Sequence, residues 1–136
     1  MLITKEQIFE RAKQSQLWAG NLIAGYQSGS AKLKNYTPID NSAIGYIADG
    51  SAQDVHAAVN IARETFEDGS WSGLSPQERK QVMLRWAQLI EKHSEELAAL
   101  DCVDAGKPIT ECLNTDLPAT VETFYWYAEV IDKLFG

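Results

Sequence analysis

Apolar residues recur at helical spacing along most of the chain, and the polar residues between them fall where helices begin and end. Thr4 and Gln7 are spaced as a capping box, and Ile8 and Ala12 give the helix that follows one apolar side. Residues 22–47 break this rhythm. LIAGY, the turn-like QSGSAK and LKNYTPIDNSAIGYI predict two or three short strands interrupted by Gly, Ser, Pro and Asn. Ser51 and Asp54 then open a helix on which Val55, Ala58, Val59, Ala62 and Phe66 repeat at helical spacing until Asp68-Gly69 ends it. After the loop SWSGL, Ser75-Pro76-Gln77-Glu78 combines an N-cap, a proline at the first helical position and a capping-box glutamate. That helix continues through Val82, Met83, Trp86, Leu89 and Ile90. Ser94 is the expected cap of a further helix carrying Leu97, Ala98, Leu100 and Val103, closed by Gly106 and Pro108. A turn over Thr110 to Leu113 precedes a last helix capped by Asp116, with Pro118 in its first turn.

That last helix holds TFYWYAEVIDKLFG (123–136). At about 100° per residue, Phe124, Tyr127, Ala128, Val130, Ile131, Leu134 and Phe135 share one arc, with Trp126 at its border. The arc spans roughly 200°, wider than the stripe of an ordinary surface helix. Glu129, Asp132 and Lys133 alone mark a clear wet side. Such a helix asks for apolar neighbours on more than one side.

The pattern gives a mainly α chain with a short N-terminal β-hairpin: a small strand layer followed by four helices. No buried parallel strand alternates with the helices, so a doubly wound sheet is not expected. The expected organisation is an N-terminal helix and linker over 1–20, short strands over 21–48 and a helical part over 49–136. With 136 residues, 45% hydrophobic and 23% charged, the chain has the make-up of a folded domain. Twelve basic against nineteen acidic residues leave −7 and no dense Lys/Arg cluster, which disfavours nucleic acid and anionic membranes as partners. The N-terminus lacks the continuous apolar core of a secretory signal, and no run approaches membrane-spanning length. Cys102 and Cys112 are the only cysteines and show no ligand spacing, so the expected compartment is the reducing cytoplasm.

Candidate chemistry is sparse. Cys102 and Cys112 read as small buried hydrophobes, and the isolated His56 and His93 as part-exposed helix residues. The Gly-Lys pair in DAGKP (104–108) suggests a phosphate loop, but the longer glycine spacing and the following Ser/Thr are missing. A helix C-cap with a proline stop accounts for it better. The aromatic run Phe124–Tyr127 suits a packed interface.

In combination, several stretches resemble the N-terminal part of the aldehyde dehydrogenase superfamily. FEDGSWSGLSPQERKQVMLRWAQLIEKHSEELAALDCVDAGKPI (66–109) carries, in the family's order, a phenylalanine helix end, Trp-Ser, a Leu-Ser-Pro-x-x-Arg helix start and an Asp-x-Gly-Lys-Pro segment. DLPATVETFYWYAEVIDKLFG (116–136) is similar to the family's next helix, with its Trp-Tyr-Ala centre and Lys-x-x-Gly end. LIAGY and NYTPIDNSAIGYIADG resemble the two N-terminal strands, with departures at three turn positions: Ala24 stands where Asn is usual, Asn41 where Pro is usual, and Ala105 where Thr, Ser or Asn is usual. The WYAEVIDK wording and the extra N-terminal helix most resemble γ-glutamyl-γ-aminobutyraldehyde dehydrogenases of putrescine breakdown, with betaine-aldehyde-type and broad-specificity members close enough to compete.

The resemblance implies the N-terminal part of an α/β enzyme, without the core of its dinucleotide-binding sheet and without its catalytic domain. The family's cysteine nucleophile, oxyanion-stabilising asparagine, water-activating glutamate and NAD(P) contacts would all lie beyond position 136. The expectation is therefore a piece that neither binds NAD(P) nor oxidises aldehydes by itself, from a homo-oligomeric parent. Its apolar face over 124–135 would be covered by the remainder of the enzyme or by another copy. The resemblance also places a monovalent cation site, for K⁺ or Na⁺, on the backbone of Pro38 and Ile39 and on Asp116; an N-cap is the structural alternative for that aspartate. The competing functional reading is a stand-alone helical interaction module that docks a partner on the last helix.

Overall fold

Capping chemistry sets the helix starts in the computed structural model, which describes residues 4–14, 20–29 and 31–133. Thr4 and Gln7 cap α1 (Lys5–Gln14) reciprocally, at 2.9 and 3.3 Å, and Ile8 and Ala12 are buried as their spacing predicts. Complete capping boxes open α2 (Ala52–Glu67) at Ser51 and Asp54, and α3 (Pro76–Lys92) at Ser75 and Glu78. Gly69 and Gly106, both at φ 72°, turn the chain left-handed after α2 and α4 (Ser94–Ala105). Ser94 is not the cap of α4. His93 holds that position without a side-chain cap bond, its Nδ1 lying 3.2 Å from Oε2 of Glu96.

The strand layer consists of two antiparallel hairpins. β1 (Asn21–Ile23) pairs with β2 (Tyr26–Ser28), and β3 (Ala31–Tyr36) with β4 (Ala43–Ala48). The first hairpin turns on Ala24 and Gly25, at φ 51° and 79°. In the second, Thr37 is buried and organises the loop. Its N–H donates to the Ser42 carbonyl at 3.0 Å, its carbonyl accepts from Asn41 N–H at 2.9 Å, and its hydroxyl accepts from Ile39 N–H at 3.3 Å.

Packing divides the chain into two units, residues 16–72 and residues 1–15 with 73–136. α1 packs on α4, and α2 lies against β1. In the helical unit, α3 and α6 (Leu117–Val130) run antiparallel. Lys80 Nζ meets Glu129 Oε2 at 2.8 Å, the Trp86 and Phe124 rings are 4.9 Å apart, and Tyr125 Oη donates to Glu91 Oε2 at 3.1 Å. The small side chains Ala87 and Ala128 are fully buried on these two helices, and Ala98, Ala99, Cys102 and Val103 are buried on α4.

From Ile109 into α6 the backbone stays helical. α5 (Ile109–Glu111) runs through a π turn (Cys112–Asp116) into α6, and Leu117 N–H bonds the carbonyl of Cys112 five residues back. Asp116 therefore caps nothing. It has helical φ and ψ and makes no side-chain cap bond, which corrects the N-cap expectation.

Candidate functional site

Charged side chains gather where α4 meets the π turn. The left-handed Gly106 reverses the chain, and Lys107 Nζ donates to the Asp116 carboxylate while lying 3.7 Å from Oδ2 of Asp101. The Cys112 thiol donates to Oδ2 of Asp101 at 3.4 Å. Asp101, Cys112 and Asp116 bring potential ligand atoms within 4.8 Å of one another, and the single Lys107 ammonium lies against both carboxylates, offsetting one of their two charges. A metal ion would have to displace it. Lys107 is pushed upward chiefly by its bond to Asp116 and stays protonated. Burial, then the hydrogen bond to Asp101, pushes the Cys112 thiol up to about 11; burial also raises Cys102. Both are fully protonated at neutral pH, and a thiol is a poor nucleophile. The arrangement ties the end of α4 to the π turn and offers no reactive group. It also removes Lys107 from any phosphate-binding role: the Gly-Lys pair follows a helix and its amine is held by carboxylates.

The three residues placed at a cation site fall in different units. Pro38 and Ile39 are exposed in the β3–β4 turn, whereas Asp116 is half-buried in the π turn and paired with Lys107. The pairing partner was legible only as a lysine after a C-cap glycine; nothing in the spacing announced the π turn that swings Asp116 toward it. His56 is exposed on α2, and His93 is exposed in the turn between α3 and α4 rather than within a helix.

The second feature is apolar. On α3, Lys80, Met83, Leu84, Ala87 and Ile90 form the buried or half-buried side, while Val82, Trp86 and Leu89 are 47%, 56% and 48% exposed on an adjacent arc. On α6, Val121 and Ala128 are buried, but Trp126 and Tyr127 remain more than half exposed, their rings edge-on at 4.8 Å. Leu134 and Phe135, the last members of the wide arc, lie outside the described residues. A cavity of about 410 Å³ is lined by the apolar Leu113, Leu117, Pro118 and Val121 and by Glu91, Ser94, Glu122 and Tyr125. Burial and the bond to Glu91 raise the Tyr125 hydroxyl above its ordinary value, so it is a neutral donor there. The cavity lining pairs no nucleophile with a base.

The aldehyde dehydrogenase family model matches residues 26–136. The chain belongs to the aldehyde dehydrogenase family. It is similar to aminoacetaldehyde dehydrogenase of Pseudomonas aeruginosa, with 44% identity over 79% of this chain and 22% of that protein. It is also similar to the NADP/NAD-dependent aldehyde dehydrogenase PuuC of Escherichia coli, with 43% identity over 73% of this chain and 20% of the relative. Among solved structures, γ-glutamyl-γ-aminobutyraldehyde dehydrogenase of Burkholderia cenocepacia superposes with a TM-score of 0.87 at 36% identity, covering 95% of this chain and 27% of that one. The chain therefore spans about a fifth of the length of these curated aldehyde dehydrogenases. Its mostly helical architecture with a few strands is the family's own fold over that part. No described helix is long and apolar enough to cross a membrane.

Proposed function

We propose that this chain is the N-terminal part of an NAD(P)-dependent aldehyde dehydrogenase that oxidises an amino-bearing aliphatic aldehyde to its carboxylic acid. The γ-glutamyl-γ-aminobutyraldehyde of putrescine breakdown is the favoured substrate. The observation that carries this reading is the superposition of nearly the whole chain on about a quarter of a γ-glutamyl-γ-aminobutyraldehyde dehydrogenase. The names of the aminoacetaldehyde and NADP/NAD-dependent relatives point the same way for substrate class and cofactor.

The chain's own contribution is structural. Its thiols are held protonated, and the amine of its Gly-Lys pair is engaged by Asp116 and Asp101. No dinucleotide contact and no step of the oxidation is assigned to the described residues. The exposed aromatic side of α6 is a contact surface for the rest of a cytoplasmic, homo-oligomeric enzyme. The cation site at Pro38, Ile39 and Asp116 is left out of the proposal, because the Asp116 carboxylate already has its cation in Lys107.

The test compares the 136-residue protein with the product of the complete reading frame that contains it. Both are given γ-glutamyl-γ-aminobutyraldehyde with NAD⁺ or NADP⁺, and reduced nicotinamide is followed by absorbance. Turnover by the complete product alone is expected. Turnover by the 136-residue protein would overturn its inactivity. A complete product that oxidises no aldehyde would overturn the enzyme reading and favour an interaction module.

A further inference from the structure

Arg79 sits on the border between the two arcs of α3. Around a helix at about 100° per residue, Arg79, Val82, Trp86 and Leu89 fall within roughly 80° of one another. Lys80, Met83, Ala87 and Ile90 turn toward the packed side. Arg79 is half-buried, and its Nε is buried with no hydrogen-bond partner among the described residues. Lys80, next to it, is paired with Glu129. Native structures seldom leave such a donor without an acceptor, and a guanidinium cannot discharge itself by losing its proton. Beside it run three large apolar side chains at three- and four-residue spacing, each about half exposed. A cation and an apolar stripe on one helix face call for one occupant with the complementary pair, a carboxylate next to apolar side chains.

We propose that Arg79 is the anchor of an internal interface: it receives a carboxylate, through Nε and one terminal nitrogen, from a further segment of the aldehyde dehydrogenase polypeptide that lies along Val82, Trp86 and Leu89. This rests on the reading that the chain is part of a longer enzyme. The occupant is assigned to that enzyme because about four-fifths of the length of the curated relatives lies outside the matched part. The side-on use of Nε makes the contact bidentate, so lysine, a point charge without that geometry, cannot replace it fully.

The experiment measures urea midpoints of Arg79→Met and Arg79→Lys in the complete reading-frame product and in the 136-residue protein. In the complete product both midpoints should fall, Arg79→Met further than Arg79→Lys. In the 136-residue protein, where no described residue accepts from Arg79 Nε, neither should fall. Should Arg79→Met yield no folded complete product, the graded loss in Arg79→Lys still decides. Equal losses in both proteins, or none in either, would overturn the anchor. So would self-association of the 136-residue protein that Arg79→Met abolishes, because the occupant would then be a second copy. Aldehyde turnover by the unaltered complete product reports separately on the enzyme reading, so failure of the anchor and failure of the enzyme are distinguishable.

Discussion

The turn of the first hairpin offers a test in which a substitution should add stability. Ile23 pairs with Tyr26, leaving Ala24 and Gly25 as a two-residue loop with φ of 51° and 79°. Positive φ at both central positions is what a type I′ turn requires, and Asn-Gly is the pair that satisfies it best. Glycine bears such a φ freely, but at Ala24 the left-handed region brings Cβ close to the following carbonyl oxygen, a conflict of about 1–2 kcal/mol for an L residue. Asparagine offsets part of that by local hydrogen bonding, so Ala24→Asn should gain about 0.5–1 kcal/mol. Ala24→Gly relieves the same conflict but loosens the unfolded chain, and should fall between Ala24→Asn and the unaltered protein. Ala24→Val adds a β-branch at positive φ and should lose stability. Read by urea unfolding at constant slope, the asparagine gain is a midpoint rise of roughly 0.2–1 M. The rank order carries the reasoning: a valine variant as stable as the unaltered protein, or an asparagine variant less stable, would refute the left-handed assignment of Ala24.

Other expectations concern the helical unit. Ala128→Leu should cost about 1–3 kcal/mol by overpacking the buried side of α6, whereas Ala119→Leu, exposed on the same helix, should be near neutral; urea midpoints of the two decide. The Ser75 hydroxyl and N–H hold the Glu78 carboxyl below its usual range. Its contribution to stability is therefore full above the ordinary carboxylate pKa and disappears as the pH falls through the lowered value. Glu78→Gln should flatten the acid limb of the stability curve measured by circular dichroism. With the Cys112 thiol at about 11 and both cysteines buried, neither should react with an aromatic disulfide at neutral pH, and both should react in urea. Rapid titration of either thiol in the folded protein would contradict the burial.

The sequence was most legible where a local rule acts alone. Thr4 and Gln7, Ser51 and Asp54, and Ser75 and Glu78 close their caps within four residues, and each is found as read. The C-cap reading of DAGKP held for the same reason. What escaped depends on contacts between elements. Val82, Met83, Trp86, Leu89 and Ile90 form one apolar pattern, yet only the arc facing α6 is covered, and no pattern along a single helix says which arc that is. Asp116 had every mark of an N-cap beside Leu117-Pro118, but an unbroken helical backbone left no free first turn for it to cap. Lys107 then took the carboxylate, and two residues read separately became one device. Family membership was legible because it rests on several motifs in order, which no packing detail disturbs.

The π turn at Cys112–Asp116 sets the phase of everything after it. An α-helix advances each side chain by about 100°, so the surplus residue of one π turn makes α6 lag by that angle behind the helix α5 would otherwise have continued. Val121 and Ala128 reach their buried positions, and Trp126 and Tyr127 their outward ones, only with that lag in place. Removing one residue between 112 and 116 would therefore not simply shorten the chain. It would turn α6 on its axis like a dial moved one notch, trading the side that meets α3 for another and carrying Asp116 away from Lys107.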